Sequence, residues 1–280
     1  MRMSQRALFG DIATYVAYLL IFLFFAGPLL WLVSLSIRTQ AEVFVSDIRL
    51  IPNNPTVENY FGVLNNPQFP TYLWNGLKLA VIGAFGAMLF ATPAAYALSR
   101  FRFASRKVWM IGLLGFQMIS PLVIMVPLYR YMDHIGLTES HFGASLIYIA
   151  IAAPLFTWML KGFLDTIPQS LEDAAMIDGC TRFGAFMRVV LPLSLPGITS
   201  AFVLNAILGW SQFIIPFILL SKPALLPISV GIFNFQGTYS QSSTQVLAAA
   251  SVLSIVPAVI VFLALQRFII GALMAGAVKG

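Results

Sequence analysis

The sequence predicts an all-α integral membrane protein of six transmembrane helices, with a polar helix-turn-helix between the fourth and the fifth. Three observations carry that prediction. Of the 280 residues, 59% are hydrophobic and only 9% are charged, against about 25% charged in soluble domains, and the mean hydropathy is +0.89. Six apolar blocks, at about 12–36, 73–98, 108–129, 142–163, 195–220 and 245–270, are each long enough to cross a hydrocarbon core of about 30 Å. Between the fourth and fifth blocks lies one polar island, residues 167–194, holding Glu172, Asp173, Asp178, Arg182 and Arg188.

The first block follows the basic start Met1-Arg-Met-Ser-Gln-Arg. It is longer than the apolar core of a signal peptide and has no A-x-A-like cleavage site, so a retained helix is expected. Residues 37–72 then turn polar, with Pro52, Pro55, Pro67 and Pro70, and read as an extracytoplasmic loop. The remaining blocks carry interior prolines (Pro93, Pro121, Pro127, Pro154, Pro216, Pro257), which membrane helices tolerate when neighbours re-satisfy the freed carbonyls. Small residues such as Gly83, Gly86, Ala94 and Ala95 allow helices to approach closely.

Six spans place both termini on one side, and the basic residues say which. With the termini in the cytoplasm, Arg2, Arg6, Arg100, Arg102, Arg106, Lys107, Lys161, Arg182, Arg188, Arg267 and Lys279 lie inside. Arg38, Arg49, Lys78, Arg130 and Lys222 lie outside or at the outer edge. Cytoplasmic loops carry the excess of Lys and Arg, so this orientation in a cytoplasmic membrane is the expected one. It also puts residues 167–194 in the cytoplasm. The net charge of +6 is explained by topology, since the basic residues form no aromatic-interleaved patch for nucleic acid.

Within the polar island, Pro168 suits a helix start, Ser170 is a candidate N-cap with Asp173 three residues on, and Gly179 can end the helix. A second short helix is expected from Thr181 to Val190, with Phe183, Phe186, Val189 and Val190 on one apolar face. Pro192 and Pro196 are expected to break the run before the fifth span. Periodicity alone leaves two readings open: a loop of interfacial amphipathic helices, or a helix-turn-helix that docks on a partner.

A resemblance to a known family shifts the balance between them. Asp173-Ala174-Ala175, three residues, Gly179, nine residues, then Val189-Val190-Leu191-Pro192 resembles the EAA loop of ABC importer permeases. The C-terminal run Gln266-Arg267-Phe268, Gly271 and Ala275-Gly276-Ala277-Val278-Lys279-Gly280 resembles the tail of the MalG-like carbohydrate-uptake permeases. So do Asn75-Gly76-Leu77 at the second span and Pro-Thr-Val-Glu-Asn-Tyr at 55–60, and the resemblance extends over essentially the whole chain. It implies a single permease domain over 1–280 with a coupling loop at 167–194. In that loop Glu172, Asp173, Ala174, Ala175, Asp178, Gly179, Arg182 and Pro192 would meet a cytoplasmic ATPase. Small Ala174 and Ala175 permit close approach, an acid offers a charge-assisted bond, and Gly179 permits a sharp turn. The family's glutamate is Asp173 here, preceded by Glu172, so either carboxylate is a candidate for the contact.

The chemistry absent from the chain agrees. No G-x-x-x-x-G-K-[ST] loop is present to cradle phosphate, nor H-E-x-x-H or G-x-S-x-G. Cys180 is the only cysteine, and His134 and His141 lack carboxylates at ligand spacing, so no metal site is expected. The resemblance implies a non-catalytic subunit without its own cofactor, with ATP and Mg²⁺ held on the partner. The implied partners are a second homologous permease, two copies of the ATP-binding subunit, an extracytoplasmic solute-binding protein and the lipid bilayer.

The spans are almost free of charge, which argues against an ion-coupled carrier built on buried charges. They hold neutral polar and aromatic groups suited to sugar hydroxyls and ring faces: Asn75, Tyr96, Gln117, Asn205, Trp210, Ser211, Gln212 and Asn234, with Ser120, Tyr148, Trp158 and Gln236 beside them. The run Trp210-Ser-Gln-Phe213 is the strongest of these, where many sugar permeases resemble Trp-Asn-Glu-Phe. The expected function is inward transport of a sugar or sugar-derived solute. The alternatives are an ABC importer for a non-sugar solute and a secondary transporter, which would run without any ATPase.

Overall fold

The computed structural model describes residues 5–43, 49–235 and 244–277, with side chains over 11–43, 49–235 and 244–266. Among the described residues every regular element is helical. Arg2, Gln236 and Lys279 lie outside this set, as do the side chains of Arg6 and Arg267. The chain divides into two compact units, Met1–Pro67 with Ile232–Ile255, and Gln68–Gly231 with Val256–Gly280.

The first unit opens with α1 (Gln5–Ser36), whose Asp11–Ser36 portion has the length and hydropathy to cross a membrane. The loop after it is more ordered than its proline-rich sequence predicts, for it contains α2 (Gln40–Val43) and α3 (Glu58–Leu64). Buried Asn59 donates to the Ser36 and Arg38 carbonyls at 2.8 and 2.9 Å, and the Ser36 and Tyr60 hydroxyls pair at 2.6 Å. Arg38 reaches the Arg49 carbonyl and stacks on Trp31. These hydrogen bonds tie the start of the loop to α3, where buried backbone carbonyls need donors.

The second unit is organised around α4 (Phe69–Arg100). Next come α5 (Arg106–Gln117) and α6 (Met125–His134), where one continuous span was expected over 108–129. Pro121, which lacks an amide and disfavours helical dihedrals at the residue before it, lies in the non-helical stretch between them. The Ser120 hydroxyl accepts from the Leu122 amide at 3.3 Å and its carbonyl from Val123 at 3.0 Å, closing a turn in place of a helix. Among the described residues five helices are long and apolar enough to span a membrane, and the third expected block is this broken pair.

Helix α7 (His141–Leu164) packs along α4, capped by the Ser140 hydroxyl. At Gly83 an added Cβ would lie 2.9 Å from the Tyr148 Cβ, so the close approach of α4 and α7 depends on that missing side chain. After α7 come α8 (Ser170–Ile177), α9 (Arg182–Ala185), a π turn at Phe186–Val190 and α10 (Leu191–Trp210). The expected break at Pro192 and Pro196 does not occur, and Arg182–Trp210 is one continuous membrane-length stretch. The π turn accommodates Pro192: the Leu191 amide reaches back to Phe186, and Pro192 follows in the first turn of α10, whereas Pro196 lies inside α10 and is carried within the helix.

The fifth expected span, 195–220, ends early at Trp210 and is followed by α11 (Ile214–Leu219) and α12 (Ile228–Gly231). Helix α13 (Thr244–Ala277) begins in the first unit and ends in the second. The core of the second unit gathers Ala87, Ala91, Ala95 and Tyr96 of α4, Phe156, Leu160 and Leu164 of α7, then Phe186, Val190 and Ala201.

Candidate functional site

Two sites emerge in the second unit, one at the Arg100 end of α4 and one midway along it. At the Arg100 end, α8 starts with turns that lead from Pro168 and Gln169: Leu171 donates to Pro168, and Glu172 and Asp173 to Gln169. Gln169 already has helical dihedrals, which places Ser170 inside the first turn; the expected Ser170 cap is therefore not made. Gly179, at φ +90°, ends the helix in the left-handed region that favours glycine. Thr181 caps α9, accepting from the Gly184 amide at 3.1 Å.

The two adjacent acids of α8 have different fates. Glu172 is 4% exposed and accepts from the Tyr96 hydroxyl at 2.9 Å and from Arg100 Nε. Arg100 continues the network, donating to the Ile167 carbonyl at 2.9 Å and to Ser99 at 3.2 Å; Ser99 in turn donates to Asp165 at 2.7 Å. Asp173, Ala174, Asp178, Gly179 and Arg182 are exposed, Ala175 is half-buried, and the Arg182 guanidinium lies over the Phe101 ring. Pro192, the second residue of α10, is exposed.

The apolar face expected at Thr181–Val190 divides: Phe186 and Val190 enter the core while Phe183 is 72% exposed. Ile177, at 86%, is more exposed still. Ile177 and Phe183 thus stand as large exposed apolar side chains beside the acids of a polar loop. Ile177 escaped the sequence reading because it lies off the expected stripe. Arg100, expected only to orient the chain, and Tyr96, expected on the substrate path, both lie at Glu172.

The second site is a cavity of about 310 Å³ between α4, α5, α7 and α10, within the range of about 300–1,000 Å³ for small-molecule pockets. Ala80, Gly83 and Ala84 form one wall, and the polar groups facing them are Gln117, Tyr148, Asn205, Ser211 and Gln212. None of the lining residues is acidic or basic. Asn205 is buried, and its Nδ2 is a donor without a partner. The turn after α10 is pinned at the Gln212 carbonyl, which accepts from Ser229 at 2.8 Å and from Tyr148 at 3.4 Å, and the Gln117 amide donates to Ile151 at 2.8 Å.

Four of the eight expected pathway residues, Gln117, Asn205, Ser211 and Gln212, thus meet at one cavity. Asn75 instead donates to the Ala224 and Leu226 carbonyls, and Trp210 packs over Gly76. Asn234 is exposed and belongs to the first unit.

A bundle of apolar helices around an uncharged polar cavity, with a polar loop at the end of its central helix, suits a membrane transport component. The chain belongs to the family described as binding-protein-dependent transport system inner membrane component, which it matches over residues 5–273. Among its relatives, the sulfoquinovosyl glycerol transport system permease protein SmoH of Agrobacterium fabrum is 34% identical, covering 90% of this chain and 88% of that protein. The maltose/maltodextrin transport system permease protein MalG of Escherichia coli is 34% identical, covering 95% and 96%. The trehalose transport system permease protein SugB of Mycobacterium tuberculosis is 33% identical, covering 90% and 92%. In fold the chain is similar to a subunit of a bacterial ABC transporter that imports the acidic polysaccharide alginate, with a TM-score of 0.79 at 24% identity over 95% of this chain and 99% of that one. This is the fold of an ABC importer permease.

Proposed function

We propose that this chain moves a sugar or sugar-derived solute inward across the cytoplasmic membrane as one permease subunit of a binding-protein-dependent ABC importer. The observation that carries the reading is the family match over residues 5–273, with relatives named for sulfoquinovosyl glycerol, maltose and trehalose. The whole chain acts as one permease domain with both termini cytoplasmic, and the broken pair α5 and α6 serves as the third of six crossings. Irregular backbone at membrane depth is tolerated where it is buried in protein or lines a cavity, and Gln117 at the break faces the cavity.

Its partners are a second permease, two ATPase subunits that hold ATP and Mg²⁺, and an extracytoplasmic solute-binding protein. Residues 167–194 meet the ATPase. Because Glu172 is consumed within the chain, Asp173 is the acid offered to a basic partner, with Ile177 and Phe183 as apolar anchors. Closure of the ATPase dimer on ATP pulls the coupling helices together and turns the spans outward, the binding protein delivers solute, and hydrolysis resets the cycle. In the cavity Asn205, Gln117, Ser211 and Gln212 meet solute hydroxyls, and Tyr148 offers a ring face.

The test is purification from native membranes followed by uptake into vesicles. A nucleotide-binding subunit is expected to co-purify with the wild type and to be lost with Asp173→Lys or Gly179→Asp, and sugar uptake is expected to require internal ATP and the binding protein. Uptake that persists without any ATPase and responds to an ion gradient instead overturns the reading in favour of a secondary transporter.

A further inference from the structure

Helix α4 touches both sites. Ala80, Gly83 and Ala84 wall the cavity, and Arg100, its last residue, is the group that grips α8. From Ala84 to Arg100 the helix runs roughly 24 Å at 1.5 Å per residue. The grip has two points, Arg100 Nε on the Glu172 carboxylate and Nη2 on the Ile167 carbonyl ahead of α8, while Nη1 turns back to Ser99 of α4 itself. Tyr96, one turn earlier on the same helix, holds the second oxygen of Glu172. Both side chains of the ion pair are 6% exposed, so water does not soften it. The pair Lys161–Asp165 nearby is partly exposed, at 20% and 24%, and lies within a single helical turn.

We propose that Arg100 is a positioning residue that works as a strut: its grip on Glu172 and Ile167 makes α8 and α4 move as one body, so that displacement of the coupling loop reaches the cavity wall. A planar guanidinium with donors fixed in a fork resists rotation at such a joint, which a lysine ammonium does not. Because Glu172 sits one residue from Asp173, force applied to the exposed acid passes into the buried pair within the first turn of α8. The inference rests on the reading that this loop meets an ATPase.

The experiment uses the complete importer in proteoliposomes and reads two quantities: the stimulation of ATP hydrolysis by loaded binding protein, and solute moved per ATP. Arg100→Gln is expected to assemble with its partners while losing about tenfold in both; Arg100→Lys is expected to fall between it and the wild type. Lys107→Ala, which removes an exposed cation outside this network, is expected to leave both unchanged. In a Cys180→Ser background, Arg100→Cys with Glu172→Cys is expected to be uncoupled until a short bifunctional thiol reagent bridges the two positions. Wild-type coupling in Arg100→Gln, failure of that variant to assemble, or a bridged pair that stays uncoupled overturns the strut. A wild-type importer that shows no stimulation at all overturns the importer reading beneath it.

Discussion

At its Arg100 end α4 meets a buried charge that is answered on every side; sixteen residues away, at Ala84, the same helix walls a cavity that holds an unanswered amide. Around Glu172 the structure supplies a phenol, a guanidinium and, through Arg100, a backbone carbonyl and a hydroxyl. Around Asn205 it leaves a buried donor without a partner. A satisfied network fixes one arrangement, whereas a buried group without a partner costs stability unless something else answers it. The contrast suits a joint at one end and a solute cavity at the other.

The most forceful way to break this comparison is to remove one member of the satisfied pair. Glu172→Ala leaves Arg100 buried without a counter-charge, and a loss of about 3–5 kcal/mol is expected, read as a drop in thermal stability of the purified chain in detergent. Gly83→Val attacks the cavity wall instead. Its new side chain meets Tyr148, so overpacking is expected to cost about 1–3 kcal/mol and to spread α4 from α7, read by the same melt and by lost uptake.

Asn205→Leu sharpens the comparison by reversing its sign. Taking away a donor without a partner is expected to stabilise the chain by about 1 kcal/mol while raising the KM for uptake, a trade of function for stability. A melt that falls would show the Asn205 amide to be structurally satisfied. The smallest effect on the fold belongs to Asp173→Asn. Asp173 is exposed, so stability is expected to stay within about 0.5 kcal/mol, yet recovery of the ATPase subunit in a pull-down is expected to fall several-fold. If Glu172→Gln rather than Asp173→Asn abolishes recovery with stability intact, the roles of the two acids are exchanged.

Much of the fold was legible in the order of residues because hydropathy is a local property. The apolar blocks at 12–36, 73–98, 142–163 and 245–270 correspond to long helices whose ends extend a few residues further at most of their boundaries. The polar island likewise announced a helix, a glycine turn and a second helix, and Gly179 and Thr181 took up the turn as their chemistry requires. Prolines were the weak point. Pro121 falls in the break of a span that hydropathy drew as continuous, while Pro192, just behind a π turn that shifts the hydrogen-bond register, and Pro196, inside α10, failed to break one.

By itself, then, the sequence determined that the chain crosses a membrane, which stretch stands apart as a polar loop, and how that loop is punctuated, since all of these depend on residues close together along the chain. Only the tertiary structure decided which of two adjacent acids is spent inside the molecule and which neutral groups share a cavity. Glu172 finds Arg100 across 72 residues, and Gln117, Tyr148, Asn205 and Gln212 converge from three helices and a turn. Such pairings are set by how helices pack against one another, and local periodicity carries no record of that.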